Sequence, residues 1–288
     1  MSIELIISLV KANIVLAVLL TNTILLIWFE RKVVAGMQSR VGPDRAGPFG
    51  ILQTLADAIK LLLKEQILPS KADRAMYLLA PLIALVPSFL IFMIIPLGPD
   101  ITVEWQNALY TIPLVGADLN VGVLYFLALS SIAVYSVVLA GWSSGSKYPL
   151  LGGVRASAQM ISYEAAMGLA LVPVILYSGS LSLVDIVNSQ SGNLSSSIPI
   201  LNTIVSFIPK WNIFPQFVAF GIFFIAAVAE VNRAPFDLVE AEQELVGGFH
   251  TEYSGFRFAM FFLAEYINMF NMCAITATFF LGGWLGPT

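Results

Sequence analysis

Residues 217–257 read FVAFGIFFIAAVAEVNRAPFDLVEAEQELVGGFHTEYSGFR, and the junction inside this stretch decides the fold. An almost unbroken apolar run, 217–227, passes straight into a segment carrying Glu230, Asp237, Glu240, Glu242, Glu244 and Glu252 against Arg233 and Arg257. The apolar half reads as a membrane span and the acidic half as the loop that follows it. The rest of the chain agrees. Its 288 residues are 58% hydrophobic and 11% charged, against roughly 25% charged in an average soluble domain. The expected architecture is an all-α integral membrane bundle forming one membrane domain over 1–288.

A spanning helix needs about 20 apolar residues. Six segments qualify: 5–28, 75–97, 119–141, 157–178, 214–234 and 257–284. The first ends in FERK without a small-residue cleavage site, so it reads as a retained span rather than a cleaved signal peptide. Between the first two spans, 49–65 has a different pattern. Ile51, Leu52, Leu55, Ile59, Leu62 and Leu63 fall on one side of a helical projection, with Gln53, Asp57, Lys60 and Lys64 opposite. This is an amphipathic helix, lying either at the membrane interface or packed on protein.

Loop charges predict the orientation. Loop 29–74 holds Arg31, Lys32, Arg40, Arg45, Lys60, Lys64, Lys71 and Arg74. Lys147 and Arg155 follow the third span, and Arg233 and Arg257 bracket the loop after the fifth. The loops after the second and fourth spans hold only Lys210. Positive loops stay inside, so the N-terminus is expected outside and loop 235–256 inside. The outer loop 179–213 is rich in Ser, Asn and Gly and reads as a solvated connector with a short helix near 181–188.

Several chemistries are disfavoured. A single cysteine (Cys273) and a single histidine (His250) exclude a disulfide within the chain. They are too few for an iron–sulfur cluster, a zinc site or bis-histidine haem ligation, so no redox metal is expected on this chain. Lys11, near the outer end of its span, can snorkel, and no lysine falls at mid-membrane depth in any span. No internal repeat is visible, which counts against common transporter plans.

Carboxylates concentrate at one depth. At about 1.5 Å per residue, Glu164 lies about 10 Å from the inner end of its span, Glu265 about 12 Å and Glu230 about 6 Å, while Glu30 closes the first span. Acids inside a membrane are costly and usually face a wet cavity or a partner. Linked by water they can relay protons; bonded singly to a neighbouring helix they are only structural. After Pro235, Asp237, Glu240 and Glu244 are spaced to share one face of a short helix ending at Gly247-Gly248. The interleaved Phe236, Leu238, Val239, Leu245, Val246 and Phe249 are too apolar for a free loop. A half-buried acidic segment facing loop 29–74 is therefore expected. The turns at Gly42-Pro43 and Gly47-Pro48 suggest that the basic loop is a shaped docking surface, with anionic lipid headgroups as the plainer alternative.

Four stretches carry a resemblance: ERKVVAGMQSRVGPDRAGP (30–48), LADAIKLLLKE (55–65), LLGGVRASAQMISYE (150–164) and AEVNRAPFDLVEAEQELVGGFHTEYSGFRFAMFFLAEY (229–266). Together they resemble the H subunit of bacterial NADH–quinone oxidoreductase, the respiratory complex I subunit known in mitochondria as NADH dehydrogenase subunit one. The resemblance implies a place at the junction of the membrane and peripheral arms, around the quinone-access chamber. It implies that Arg31, Asp57, Arg233, Phe236 and Asp237 belong to the chamber or its mouth. It puts Glu30, Glu164, Glu230, Glu240, Glu242, Glu244, Glu252 and Glu265 at family acidic positions that couple quinone reduction to proton movement. No complete active site is implied in this chain. Quinone is the implied substrate, with iron–sulfur clusters and FMN on partner subunits. The implied partners are the peripheral-arm quinone-site and terminal iron–sulfur subunits, the adjacent small membrane subunits and lipid, with no nucleic acid. The implied location is the bacterial plasma membrane. Family members continue beyond the sixth span, whereas this sequence ends at GGWLGPT, so roles placed on later helices are not carried over. A related subunit of membrane-bound hydrogenase-type complexes, a stand-alone transporter and a structural anchor remain the competing readings.

Overall fold

The computed structural model describes residues 3–105, 108–194, 208–237 and 245–286. It is an all-α bundle with a two-stranded hairpin at one end. The chain runs α1 (Ile3–Met37), a 3-10 turn (Pro48–Gly50), α2 (Gln53–Leu63), α3 (Arg74–Met93), β1 (Ile101–Trp105), β2 (Ala108–Ile112), α4 (Gly122–Ser143) and α5 (Lys147–Ser178). It continues through α6 (Leu183–Ser189), α7 (Phe217–Glu230), a second 3-10 turn (Gly248–His250) and α8 (Gly255–Phe280). Among the described residues, five helical stretches are long and apolar enough to cross a membrane: Val10–Met37, α3, α4, α5 and α8. The chain is a multi-pass membrane bundle.

Four differences from the expected layout have physical reasons. First, α1 runs to Met37, so Glu30 and Arg31 lie about two turns inside the helix instead of closing it. Second, the expected loop 142–156 is mostly helix: α5 starts at Lys147 and has 32 residues. Pro149 is tolerated there because the first helical turn has no hydrogen bond for it to break. At about 48 Å, α5 outruns a hydrocarbon core of about 30 Å. Third, the fifth expected span is the 14-residue α7, only about 21 Å long. Pro215 lies just before its start, and Asn232, in the left-handed region at φ 52°, lies just beyond its end. Fourth, 101–105 pairs antiparallel with 108–112, with Ile101 opposite Ile112. Ile101, Thr102 and Val103 are β-branched, a preference hidden between two long helical periods.

Packing binds the helices at both ends. At one end, buried Gln190 donates to the carbonyls of Ile186 (3.2 Å) and Thr278 (2.9 Å) and accepts from the amides of Asn212 (3.2 Å) and Gly282 (3.1 Å). Midway, Asn271 of α8 donates to the Ser88 carbonyl of α3 at 2.8 Å. A large aromatic and aliphatic core gathers Phe126, Met167, Leu171, Phe223, Ile275, Phe279 and Phe280. Towards the other end the core is rich in small residues, with Ala80, Ala84, Ala140, Ala156 and Ala264 around Tyr77, Phe249, Tyr253 and Phe261. Small side chains let membrane helices approach closely. That end, which carries the basic loop, holds the candidate site.

Candidate functional site

The site begins at α2. Its apolar residues Leu52, Leu55, Ile59, Leu62 and Leu63 all point outward, with Leu63 83% exposed. Its polar side meets α1: Thr54 donates to the Ile24 carbonyl at 3.4 Å, and Arg31 hydrogen-bonds Asp57. The helix is therefore packed on protein by its polar side and presents its apolar side to the surroundings. Gln53 also donates to Asp57, at 3.0 Å. Burial pushes the Asp57 carboxyl up, but hydrogen bonds from Arg31 and Gln53, with the charges of Arg31 and Lys60, outweigh it and hold the group below its ordinary range.

One residue earlier along α1, Glu30 joins a second ionic group. Arg233, just past α7, reaches Glu30 of α1 (3.0 Å) and Glu265 of α8 (3.2 Å). The contact to Glu265 is an ion pair without hydrogen-bond geometry at the Arg233 Nε. The Arg233 guanidinium also lies 4.6 Å from the centre of the Tyr266 ring, a favourable cation–π distance. Three separate segments thus converge on one arginine.

Gln159 of α5 fixes the turn that delivers it. Its amide nitrogen faces the Ala229 carbonyl (3.1 Å), the Asn232 side-chain oxygen (3.4 Å) and the Phe236 carbonyl (2.9 Å). The Phe236 ring packs edge-on against Tyr163 at 5.3 Å. Asp237 follows on the exposed side of the same turn.

A cavity of about 70 Å³ lies behind Arg233, bounded by α3, α4, α5, α7, α8 and the second 3-10 turn. Its polar wall is Ser136, Glu230, Asn232, His250, Glu265 and Asn268. A water needs about 10–15 Å³ of such space, so several fit, with more than enough polar partners. Glu230 is only 7% exposed. One of its oxygens accepts from Ser130 at 2.9 Å, while the other has no hydrogen-bond partner among the described residues. The next residue on α4, Ser131, hydrogen-bonds Glu164 of α5. Glu164 is half-buried and Ser131 exposed, so this step leads from the core to the bundle surface.

The segment closing the cavity is built in. Leu245, Phe249 and Tyr253 are buried. Tyr253 stacks on Tyr77 of α3 with ring centres 4.1 Å apart. Tyr77 donates to the Glu252 carbonyl at 2.7 Å, and Ser254 accepts from the Ile67 amide at 3.0 Å. The 3-10 turn lies so close to α5 that a Cβ on Gly152 would come within 2.7 Å of the Gly248 backbone. His250 is enclosed by Phe249, Phe258 and Phe262, and burial pushes its imidazole down to about 4.

The structure thus brings Glu30, Arg233 and Glu265 into one cluster, Arg31 and Asp57 into a pair beside it, and Glu230 and Glu164 onto adjacent serines of α4. Glu252 is placed by its backbone near α3, away from the Arg233 cluster. Glu240, Glu242 and Glu244, with most of the expected short helix, lie outside the described residues. Sequence reasoning assigned no part to Ser130, Ser131, Gln159, Tyr266 or Asn268, and used His250 only to exclude metal sites. Serine, tyrosine and asparagine are too common in apolar helices to signal a site singly. An i, i+1 serine pair within an apolar stretch is the one pattern that could have drawn notice to α4.

The family model for NADH dehydrogenase matches residues 10–288. The chain belongs to the NADH dehydrogenase family, in the branch formed by the H subunits of NADH–quinone oxidoreductase. It is 52% identical over 277 residues to an NADH–quinone oxidoreductase H subunit of Syntrophobacter fumaroxidans, covering 96% of this chain and 77% of that protein. It is 54% identical over 270 residues to the like-named protein of Geobacter metallireducens, covering 90% of this chain and 72% of the relative. It is 52% identical over 284 residues to the NADH–quinone oxidoreductase H subunit of Thermomicrobium roseum, covering 99% of this chain and 80% of the relative. The four stretches that carried the family resemblance in the sequence include α2, the first half of α5, the Arg233 turn and the start of α8, the elements that build this site.

Proposed function

We propose that this chain is the membrane subunit of a proton-translocating NADH:quinone oxidoreductase in a bacterial plasma membrane. It forms part of the quinone-access chamber and couples quinone reduction to proton movement. The observation that carries the reading is a succession of polar groups spaced across the bundle. It runs from Arg31–Asp57, through Glu30–Arg233–Glu265 and the cavity, to Glu230, Ser130, Ser131 and Glu164.

On this reading the basic end faces the cytoplasm, as the loop charges require. Quinone enters between α1, α2 and α8, where the outward apolar side of α2 offers a lipid-like entrance. Electrons come from an iron–sulfur cluster on a partner subunit. This chain contributes positioning and proton transfer. Arg31 and Arg233 present positive charge towards the chamber, and Phe236 and Asp237 form its edge. A change of charge in the chamber alters how firmly Arg233 holds Glu30 and Glu265. Glu265 shares the cavity with Glu230, so a proton released at one reaches the other through water. Glu230, held by Ser130, and Glu164, held by Ser131, are the next proton-binding groups, the latter on the flank where an adjacent membrane subunit takes the proton up. The family resemblance adds Glu240, Glu242, Glu244 and Glu252 as further proton-binding groups.

The test is purification of the tagged chain from native membranes in mild detergent. The expected result is co-purification with flavin- and iron–sulfur-bearing subunits and NADH:quinone activity sensitive to quinone-site inhibitors. Recovery with hydrogenase-type metal subunits, or as a lone chain that moves a solute in liposomes, would overturn the reading.

A further inference from the structure

A cleft of about 370 Å³ opens on another flank of the basic end, between the start of α3 and the end of α4. Lys71, Asp73, Met76, Leu139, Trp142 and Ser143 line it, none of them part of the polar series. Its size falls within the range of about 300–1,000 Å³ common for ligand pockets.

The backbone makes the cleft a fixed notch. The Asp73 amide donates to the Ser143 carbonyl at 3.0 Å. Gly145, in the left-handed region at φ 67°, lies so close that a Cβ there would come within 2.5 Å of the Lys71 carbonyl oxygen. One Asp73 oxygen caps α3 by accepting from the amides of Ala75 (3.1 Å) and Met76 (3.4 Å), which leaves the other oxygen facing out. Lys71 and Asp73 are exposed, and neither makes an ion pair among the described residues. The rim therefore offers one free ammonium and one free carboxylate oxygen, two residues apart.

Below the rim the cleft turns apolar. Trp142 is 72% exposed and Met76 43%. Tryptophan and lysine at the end of spanning helices mark the headgroup level of a membrane. From there two stripes at 3–4 residue spacing run down the bundle: Met76, Leu79, Ile83 and Val86 on α3, and Trp142, Leu139, Tyr135 and Ile132 on α4. Each covers about 15 Å, the reach of an acyl chain segment. An anionic headgroup matches Lys71 but is repelled by Asp73. A choline headgroup carries charge but no N–H to donate to Asp73. A phosphate followed by a primary ammonium satisfies both.

We propose that this cleft binds a phospholipid with a primary-amine zwitterionic headgroup, its phosphate on Lys71, its ammonium on Asp73 and its acyl chains along the α3–α4 stripes. The site requires only that the bundle lies in a membrane, so its test stands or falls apart from the quinone reading.

The assembled complex, depleted of lipid in detergent, is exposed to a photoactivatable phosphatidylethanolamine, with unlabelled phosphatidylethanolamine or phosphatidylglycerol as competitor. Cross-links are mapped by mass spectrometry. The expected result is labelling of peptides containing Met76 or Trp142, competed by phosphatidylethanolamine in preference to phosphatidylglycerol. Lys71→Gln lowers labelling at least fivefold. Asp73→Asn keeps the helix cap, since asparagine caps as well as aspartate, and phosphatidylglycerol then competes as well as phosphatidylethanolamine. Unchanged labelling in Lys71→Gln, an unchanged headgroup preference in Asp73→Asn, or occupation of the cleft by another subunit would each overturn the proposal.

Discussion

Arg233 is the residue on which α1, α7 and α8 depend together, because it meets Glu30 and Glu265 while lying against Tyr266. A lysine keeps the charge but loses the planar fork that serves two carboxylates and an aromatic face at once. Arg233→Lys is expected to lower NADH:quinone turnover by tenfold or more, while NADH oxidation by a soluble artificial acceptor stays normal. Steady-state assays with the two acceptors check this. Removing the charge in Arg233→Ala leaves two carboxylates without their shared partner, at a cost below the roughly 3–5 kcal/mol of a fully buried pair because solvent screens these half-buried groups. His250 makes a different prediction. Its folded value, about 4, is below its ordinary 6.5, so the unfolded chain binds more protons between those values. Stability from the neutral imidazole is therefore full above pH 6.5 and is lost as pH falls towards 4, on the order of 3 kcal/mol in all. His250→Gln should flatten the thermal stability of the complex between about pH 7 and pH 5, as read by differential scanning fluorimetry. An equally steep acid loss in the variant would show that the imidazole is not the group responsible. Most of this site's charged members were legible because carboxylates and arginines stand out in apolar sequence. Gln159, Ser130 and Ser131 were not, because their part depends on which neighbouring helix each one meets.

At the level of elements, sequence periodicity located the helices better than it located their ends. Long apolar runs show where α3, α4 and α8 lie, since burial in lipid and in the core favours the same residues. The start of α5 was hidden because Pro149, Gly152 and Gly153 read as loop punctuation. Within the helix, position 152 is a glycine because the backbone of the second 3-10 turn presses against it. That contact is testable. Gly152→Ala places a methyl 2.7 Å from the Gly248 backbone, so the turn carrying His250 must move. A destabilisation of about 1–3 kcal/mol is expected, seen as a lower yield of assembled complex on native gels. The amphipathic α2 shows the opposite case. Its two faces were plain in sequence, yet the direction in which each points required the contacts to α1, where Asp57 and Thr54 turn inward.

The molecule as a whole places its charges along one route. An outward apolar side of α2, a doubly paired arginine, a cavity with room for water and a pair of serines succeed one another from one flank of the bundle to another. Loop charges, the family resemblance and the carboxylate depths all point to the same end of the molecule, although only the folded bundle shows that Glu230 and Glu265 share a cavity. Glu230 is the member of the series to test, since it is buried, lines the cavity and holds one oxygen on Ser130 while the other has no partner among the described residues. The decisive measurement is NADH-driven proton pumping, together with quinone turnover, in proteoliposomes carrying the intact complex with Glu230→Gln. Glutamine keeps the shape and the hydrogen bond from Ser130 but cannot exchange a proton. The account predicts normal assembly and artificial-acceptor activity, with pumping and coupled quinone turnover reduced at least tenfold. Pumping and turnover at the level of the unmodified complex would contradict it.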